Sequence, residues 1–175
     1  NAIVVRADGH GAAEILDADG RYMCQSGKGI VANCIGDRDD MKVSDFWAWK
    51  NAAGEPWDTS RWTPDVCVLN CGTNDAWGGI GDEEFKERGL RFLADVRKAY
   101  PQAKIVWAYG IMDETKLRAV EETVNEFAKN DANTYFFPIK SMYHFNDEVG
   151  GGGHPNTNTS KRTSAELAAR IKEIL

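Results

Sequence analysis

"PDVCVLNCGTND", Pro64 to Asp75, passes from an apolar run into a turn. Val66, Cys67, Val68 and Leu69 stand together without interleaved polar residues, the pattern of a strand covered on both faces rather than half exposed. Asn70, Gly72, Asn74 and Asp75 cannot extend that run, because each favours turns or local side-chain hydrogen bonds. A strand buried on both sides needs helices above and below it, so the flanking sequence should alternate between the two periods.

It does. From about Asp82, Phe85, Phe92, Leu93, Val96 and Tyr100 form one stripe, acidic residues lead it and Pro101 stops it. "AKIVWAYG" is the next strand. "DETKLRAVEETVNEFAKN" is the next helix, with Leu117, Val120, Val124 and Phe127 on one face. "TYFFPI" is a short strand, and "TSKRTSAELAARIKEIL" closes the chain as a helix with Leu167, Ile171 and Leu175 inward. Upstream, "GRYMCQS" from Gly20 reads as a strand that ends in the turn "SGKG". Three such alternations predict an α/β chain with a parallel sheet between layers of helices. Between Gly36 and Arg61 the expectation is a helix plus loop, and four of the six tryptophans (Trp47, Trp49, Trp57, Trp62) fall in or beside it. They suit sugar stacking and loop packing equally.

The totals set bounds on function. A chain of 175 residues with 42% hydrophobic and 27% charged residues reads as a single domain, 1–175, with a core of its own. A net charge of −6 and the lack of a basic patch argue against nucleic acid or an anionic membrane as partner. The apolar runs are strand-sized, too short to span a bilayer. Cys24, Cys34, Cys67 and Cys71 lack the paired spacing of a zinc site and are too few for a disulfide framework, so small buried hydrophobes are expected. Cys24, inside the predicted strand, reads as a buried, inert thiol. No pattern calls for a metal or other cofactor; "SGKG" meets neither phosphate-loop spacing.

In open parallel sheets, chemistry collects where strands end at their carboxyl side. Three loops leave that side here: "SGKG", "GTNDAW" and, after a longer excursion, "GGGGHPN", Gly150 to Asn156. A glycine N–H, an asparagine amide and an imidazole brought together supply two oxyanion donors and a general base, which is equipment for acyl transfer. Each taken alone is a common turn residue; their occurrence together in one α/β chain is the signal.

These blocks resemble those of SGNH (GDSL-type) hydrolases. "WDTSRWTPDVCVLNCGTND" is similar above all to the catalytic domain of carbohydrate esterase family two, the acetyl xylan esterase-like group, and the likeness runs from about Gly11 to Leu175. The resemblance implies a flavodoxin-like three-layer α/β/α sandwich and a serine esterase that removes O-acetyl groups from carbohydrates such as acetyl xylan. It places the oxyanion glycine at Gly27, the oxyanion asparagine at Asn74 and the catalytic base at His154. Asp75 becomes a structural hydrogen-bonder, and Trp77 a wall or platform for substrate. It also implies an extracellular or cell-surface setting, where such substrates lie.

Two departures accompany the likeness. The family's nucleophile stands in a G-D-S block at the end of the first strand. None of the six serines, Ser26, Ser44, Ser60, Ser141, Ser160 and Ser164, has that context. "NAIVVRADGHGAAEILDADG" instead resembles the helix leading to the second strand, so the expectation is a domain lacking its first strand and nucleophile. Second, where many relatives carry an Asp three residues before the His, this chain has Gly151; Asp147 and Glu148 are out of register. A backbone carbonyl of the glycine run would then orient His154. The other reading is a non-catalytic carbohydrate-binding relative of the same fold.

Overall fold

The computed structural model describes residues 2–4, 8–49 and 54–175. Five strands, β1 (Ala2–Val4), β2 (Asp19–Arg21), β3 (Val66–Leu69), β4 (Lys104–Tyr109) and β5 (Thr134–Pro138), form one sheet in the order β2-β1-β3-β4-β5. Every neighbouring pair is parallel. The chain winds outward from the centre in both directions, so the connections leaving β1 and β3 diverge and open a crevice at the carboxyl edge.

Alternation along the strands sorts the core into two layers. Cys67, Leu69, Ile105, Trp107 and Tyr109 face α4 (Asp82–Ala99) and α5 (Leu117–Ala128), where Phe85, Phe92, Leu93, Val120 and Val124 meet them. Val66, Val68, Val106 and Ala108 face α1 (Asp8–Ile15) and α6 (Thr157–Ile174), against Ala12, Leu167 and Ile171. This is the expected α/β/α sandwich. Burial of β3 and β4 on both faces is why those segments read as unbroken apolar runs.

Several expectations change. A three-residue strand, Ala2–Val4, fills the central position for which the sequence reading looked upstream, and its described residues pair with β3 at Ile3–Val66 and Val4–Cys67. β2 stops at Arg21, so Cys24 lies beyond the ladder and is exposed rather than buried; Cys34 is half-buried, while Cys67 and Cys71 are buried. Burial pushes the Cys67 thiol up to about 12, which leaves it inert at neutral pH. Leu175, expected inward, is 62% exposed because α6 ends one residue earlier. Between Gly36 and Arg61 the described residues form the four-residue α2 (Val43–Phe46) and a 3-10 turn at Thr59–Arg61; residues 50–53 lie outside the described part.

Arg97, near the end of α4, ties the sheet's lower edge together. Its guanidinium donates to Asp131 at 2.7 Å and to the carbonyls of Tyr100 and Ala103 at 2.9 and 2.6 Å. Burial opposes the charge on Asp131, but Arg97, the Thr134 hydroxyl and the Asn133 N–H outweigh it and hold the carboxyl below its ordinary range. A carboxylate with a lowered folded pKa stabilises above its unfolded pKa and loses that contribution as pH falls through the folded value. Stability should therefore drop as pH falls below about 4. Urea titrations should show Asp131→Asn less stable by about 2 kcal/mol at pH 7, with the gap closing in acid.

Candidate active site

β3 delivers the chain to the carboxyl edge, where the Trp107 indole N–H donates 3.1 Å to the Cys71 carbonyl and fixes the turn. Gly72 makes the corner at φ +123°, and a Cβ there would stand 3.0 Å from Tyr109 and 3.3 Å from Phe85. No other residue takes that conformation cheaply. The turn launches α3 (Thr73–Trp77), which the sequence reading took for loop. Asn74 and Asp75 are both buried on it, while Trp77 is 48% exposed.

The two buried side chains reach across to the loop that follows β2. The Asp75 carboxylate accepts the N–H groups of Ile30 (2.9 Å), Val31 (2.7 Å) and Ala32 (3.1 Å). Burial pushes its pKa up, and the same three N–H groups pull it back. Gly29 comes so close to this nest that a Cβ would lie 1.9 Å from the Ala32 carbonyl oxygen and 2.7 Å from Asp75. The glycine of "SGKG" that sterics demand is thus Gly29, whereas Gly27 is set by its φ of +74°.

The Asn74 amide donates 2.9 Å to the Lys28 carbonyl, the residue after Gly27. An Asn amide has two N–H bonds, so one remains with no described partner. Gly27 accepts the Cys34 N–H at 2.8 Å, which closes the loop on itself. Asn74 is therefore tied to the loop that carries Gly27, through the residue next to it.

Four side chains to which the sequence reading gave no role stiffen this loop. Asn33 accepts from Gly29 N–H and donates to Asp37 at 2.9 Å and to the Met41 carbonyl at 3.2 Å. The Asn33 amide and the backbone N–H groups of residues 39 and 40 hold the Asp37 carboxyl down at about 2. Buried Lys28 pairs with Asp40. Asn and Asp scattered through a loop give no periodic signal, so only the fold shows them converging.

His154 stands apart. It follows a single 3-10 turn at Gly151–Gly153, in which Gly152 and Gly153 have φ of +65° and +73°. Its backbone is pinned: the carbonyl accepts Gly150 N–H at 2.7 Å, and the N–H donates to Gly151 at 3.3 Å. The imidazole is exposed and hydrogen-bonds to no described residue, including the carbonyls of the glycine run. The structure thus bonds Asn74 to Lys28, the residue after Gly27, and gives His154 no bond to Gly27 or Asn74. Both nearby carboxylates are engaged elsewhere. Asp147 accepts from Asn158 at 3.1 Å, and buried Glu148 takes both arms of Arg162 at 2.7 Å. Glu148 also anchors the loop through its carbonyl, which accepts the Asn156 N–H. No group of three or more His, Cys, Asp or Glu among the described residues could hold a metal ion.

Residues 27–174 match the GDSL-like Lipase/Acylhydrolase family. An acetylxylan esterase/glucomannan deacetylase of Cellvibrio japonicus is 27% identical over 168 residues, which span 93% of this chain and 46% of that protein. A cellulase/esterase of Acetivibrio thermocellus is 28% identical over 174 residues, 93% of this chain and 21% of that protein. The structure of a family two carbohydrate esterase from Clostridium thermocellum in complex with cellohexaose superposes with a TM-score of 0.85 at 26% identity, covering 95% of this chain and 53% of that one. The chain therefore spans about half, or less, of the length of these relatives.

Proposed function

Because this chain belongs to the GDSL-like lipase/acylhydrolase family, we propose that it serves as the body of a serine esterase removing O-acetyl groups from carbohydrates, with the nucleophilic serine outside these 175 residues. One observation carries the reading: Asn74 bonded to the Lys28 carbonyl sets an asparagine amide beside the Gly27 turn at the carboxyl edge. Acetylated polysaccharide substrates and export from the cell are part of the proposal, supported by what the relatives are named for.

The chemistry follows from the groups present. A serine Oγ placed at the crevice attacks the acetyl carbonyl while His154 takes its proton. The carbonyl oxygen becomes an oxyanion that accepts from the Gly27 N–H and the free N–H of Asn74. Collapse expels the sugar oxygen, which takes the proton back from the imidazole, and water repeats the sequence to release acetate. Exposed Trp77, two residues past Asp75, offers an indole face to a sugar ring.

The first experiment compares p-nitrophenyl acetate hydrolysis by this chain and by the same chain extended upstream to include a G-D-S block with its serine. Activity confined to the extended protein supports the proposal. Equal, His154-dependent activity in both puts the nucleophile within these residues and defeats it. In the active form, Asn74→Ala should lower kcat by about 10² to 10³-fold with little change in KM, because the donor acts on the transition state.

A second reading, a carbohydrate-binding relative without catalysis, is favoured by the lack of an orienting partner on the His154 imidazole among the described residues. Glucomannan binding with no hydrolysis in the extended protein would select it.

A further inference from the structure

The aromatic cluster at the β2 edge is not absorbed by the esterase reading. Its tryptophans do not form one open platform. Trp47 packs inward, edge-on to Phe92 and Tyr100 with centroids 6.1 Å away in each case. Trp57 and Trp62 instead bracket the Arg21 guanidinium, whose central carbon lies 3.8 Å and 4.9 Å from their ring centroids. These three residues, with Tyr22, Trp49 and Tyr100, line a cavity of about 350 Å³. That volume falls within the roughly 300 to 1,000 Å³ of small-molecule sites.

Arg21 is exposed, and among the described residues no carboxylate pairs with it and no acceptor takes its N–H groups. Arg61, Arg88 and Arg170 likewise have no carboxylate at ion-pair distance among the described residues. Elsewhere Arg38, Arg91, Arg97, Arg118 and Arg162 all have carboxylate partners. Arg61 adds a second positive charge 5.7 Å from the Trp57 ring. The buried Trp57 Nε1 is a further donor without a described partner. A guanidinium stacked on an indole keeps its planar fork of donors at the edge, the geometry that grips a carboxylate with two bonds. Aromatic walls meanwhile favour the flat face of a ring.

We propose that this cavity binds a six-membered ring bearing a carboxylate, with the acid on the Arg21 fork and the ring against the aromatic wall. A uronate sugar and an aromatic acid share that chemistry. The site uses none of Gly27, Asn74 or His154, so it stands whether or not the chain is an esterase.

The test is tryptophan fluorescence of this chain titrated separately with D-glucuronate, benzoate, D-glucose and acetate. Saturable millimolar binding of glucuronate, of benzoate or of both is expected, with glucose and acetate at least about tenfold weaker, a difference of about 1.4 kcal/mol. Glucuronate alone identifies a sugar site, benzoate alone an aromatic-acid site. Arg21→Gln should weaken binding about tenfold or more, and Arg21→Lys should not restore it fully, since an ammonium lacks the fork. Should Arg21→Gln fail to fold, the indole N–H resonances of Trp57 and Trp62 in the unaltered chain should shift on titration. No saturation with either acid, equal binding of glucose, unchanged binding in Arg21→Gln, or unmoved indole resonances would each overturn the site.

Discussion

In the upstream-extended protein, His154→Ala should lower kcat for p-nitrophenyl acetate by about 10⁴ to 10⁶-fold, the scale on which base and nucleophile act as one unit. The same change should leave the urea midpoint where it was. The imidazole is exposed and bonded to no described residue, so its removal exposes no core and orphans no donor. This pairing of a large kinetic effect with a negligible structural one separates a catalytic imidazole from a structural one. A loss below tenfold would move the base elsewhere. His144 would be next in line, since its Nε2 lies 3.1 Å from Glu114 on the loop after β4, and Glu114 is held below its usual range by the Ser141 N–H and by His144.

Asp75→Ala should produce the largest loss of stability of any substitution at the site, about 3 to 5 kcal/mol by urea unfolding. The carboxylate is fully buried and satisfies three backbone N–H groups. Each buried donor left bare costs about 1 to 3 kcal/mol, and the total is a large share of a typical 5 to 15 kcal/mol margin. Asp75→Asn keeps an acceptor oxygen and should lose about half as much. Gly29 and Asn74 lean on the same unit, so the loss should spread to the Gly27 turn. A change under about 1 kcal/mol for Asp75→Ala would mean that other bonds hold the loop.

The layers of this fold were readable because β3 and β4 are buried on both faces and their sequences show it as continuous apolar runs. Helices α4, α5 and α6 announced themselves by stripe and stop signals, with Pro101 ending the first. What hid from the sequence was whatever short-range preference does not decide. α3 is only five residues long and begins with Thr and Asn, which favour turns, so it read as loop. Its helical form depends on Asp75 reaching a loop 43 to 45 positions away. Cys24 was misplaced because "GRYMCQS" has strand composition throughout, yet its ladder ends at Arg21. At the candidate site, Gly27 and Asn74 are the residues that motif alone proposes. The Asn33, Asp37 and Lys28–Asp40 bonds behind them could not be found that way, since their spacing repeats no period. Glu148 was read only as out of register with His154, and its partner Arg162 lies fourteen residues on, in another element.

Among the described residues the ladders of the sheet are uneven: β1 meets β2 over three pairs and β3 over two, while β3 meets β4 over four and β4 meets β5 over five. Such a sheet does not open as one piece. The β3-β4-β5 half, backed by the largest buried side chains, should form the slow-exchanging unit in hydrogen exchange, with the β2-β1 half detaching first. The Gly27 loop hangs from the half that loosens, and Asn74 and Asp75 from the half that persists. Their bonds therefore cross from one half to the other, so the proposed oxyanion donors would be held together only while both halves are closed.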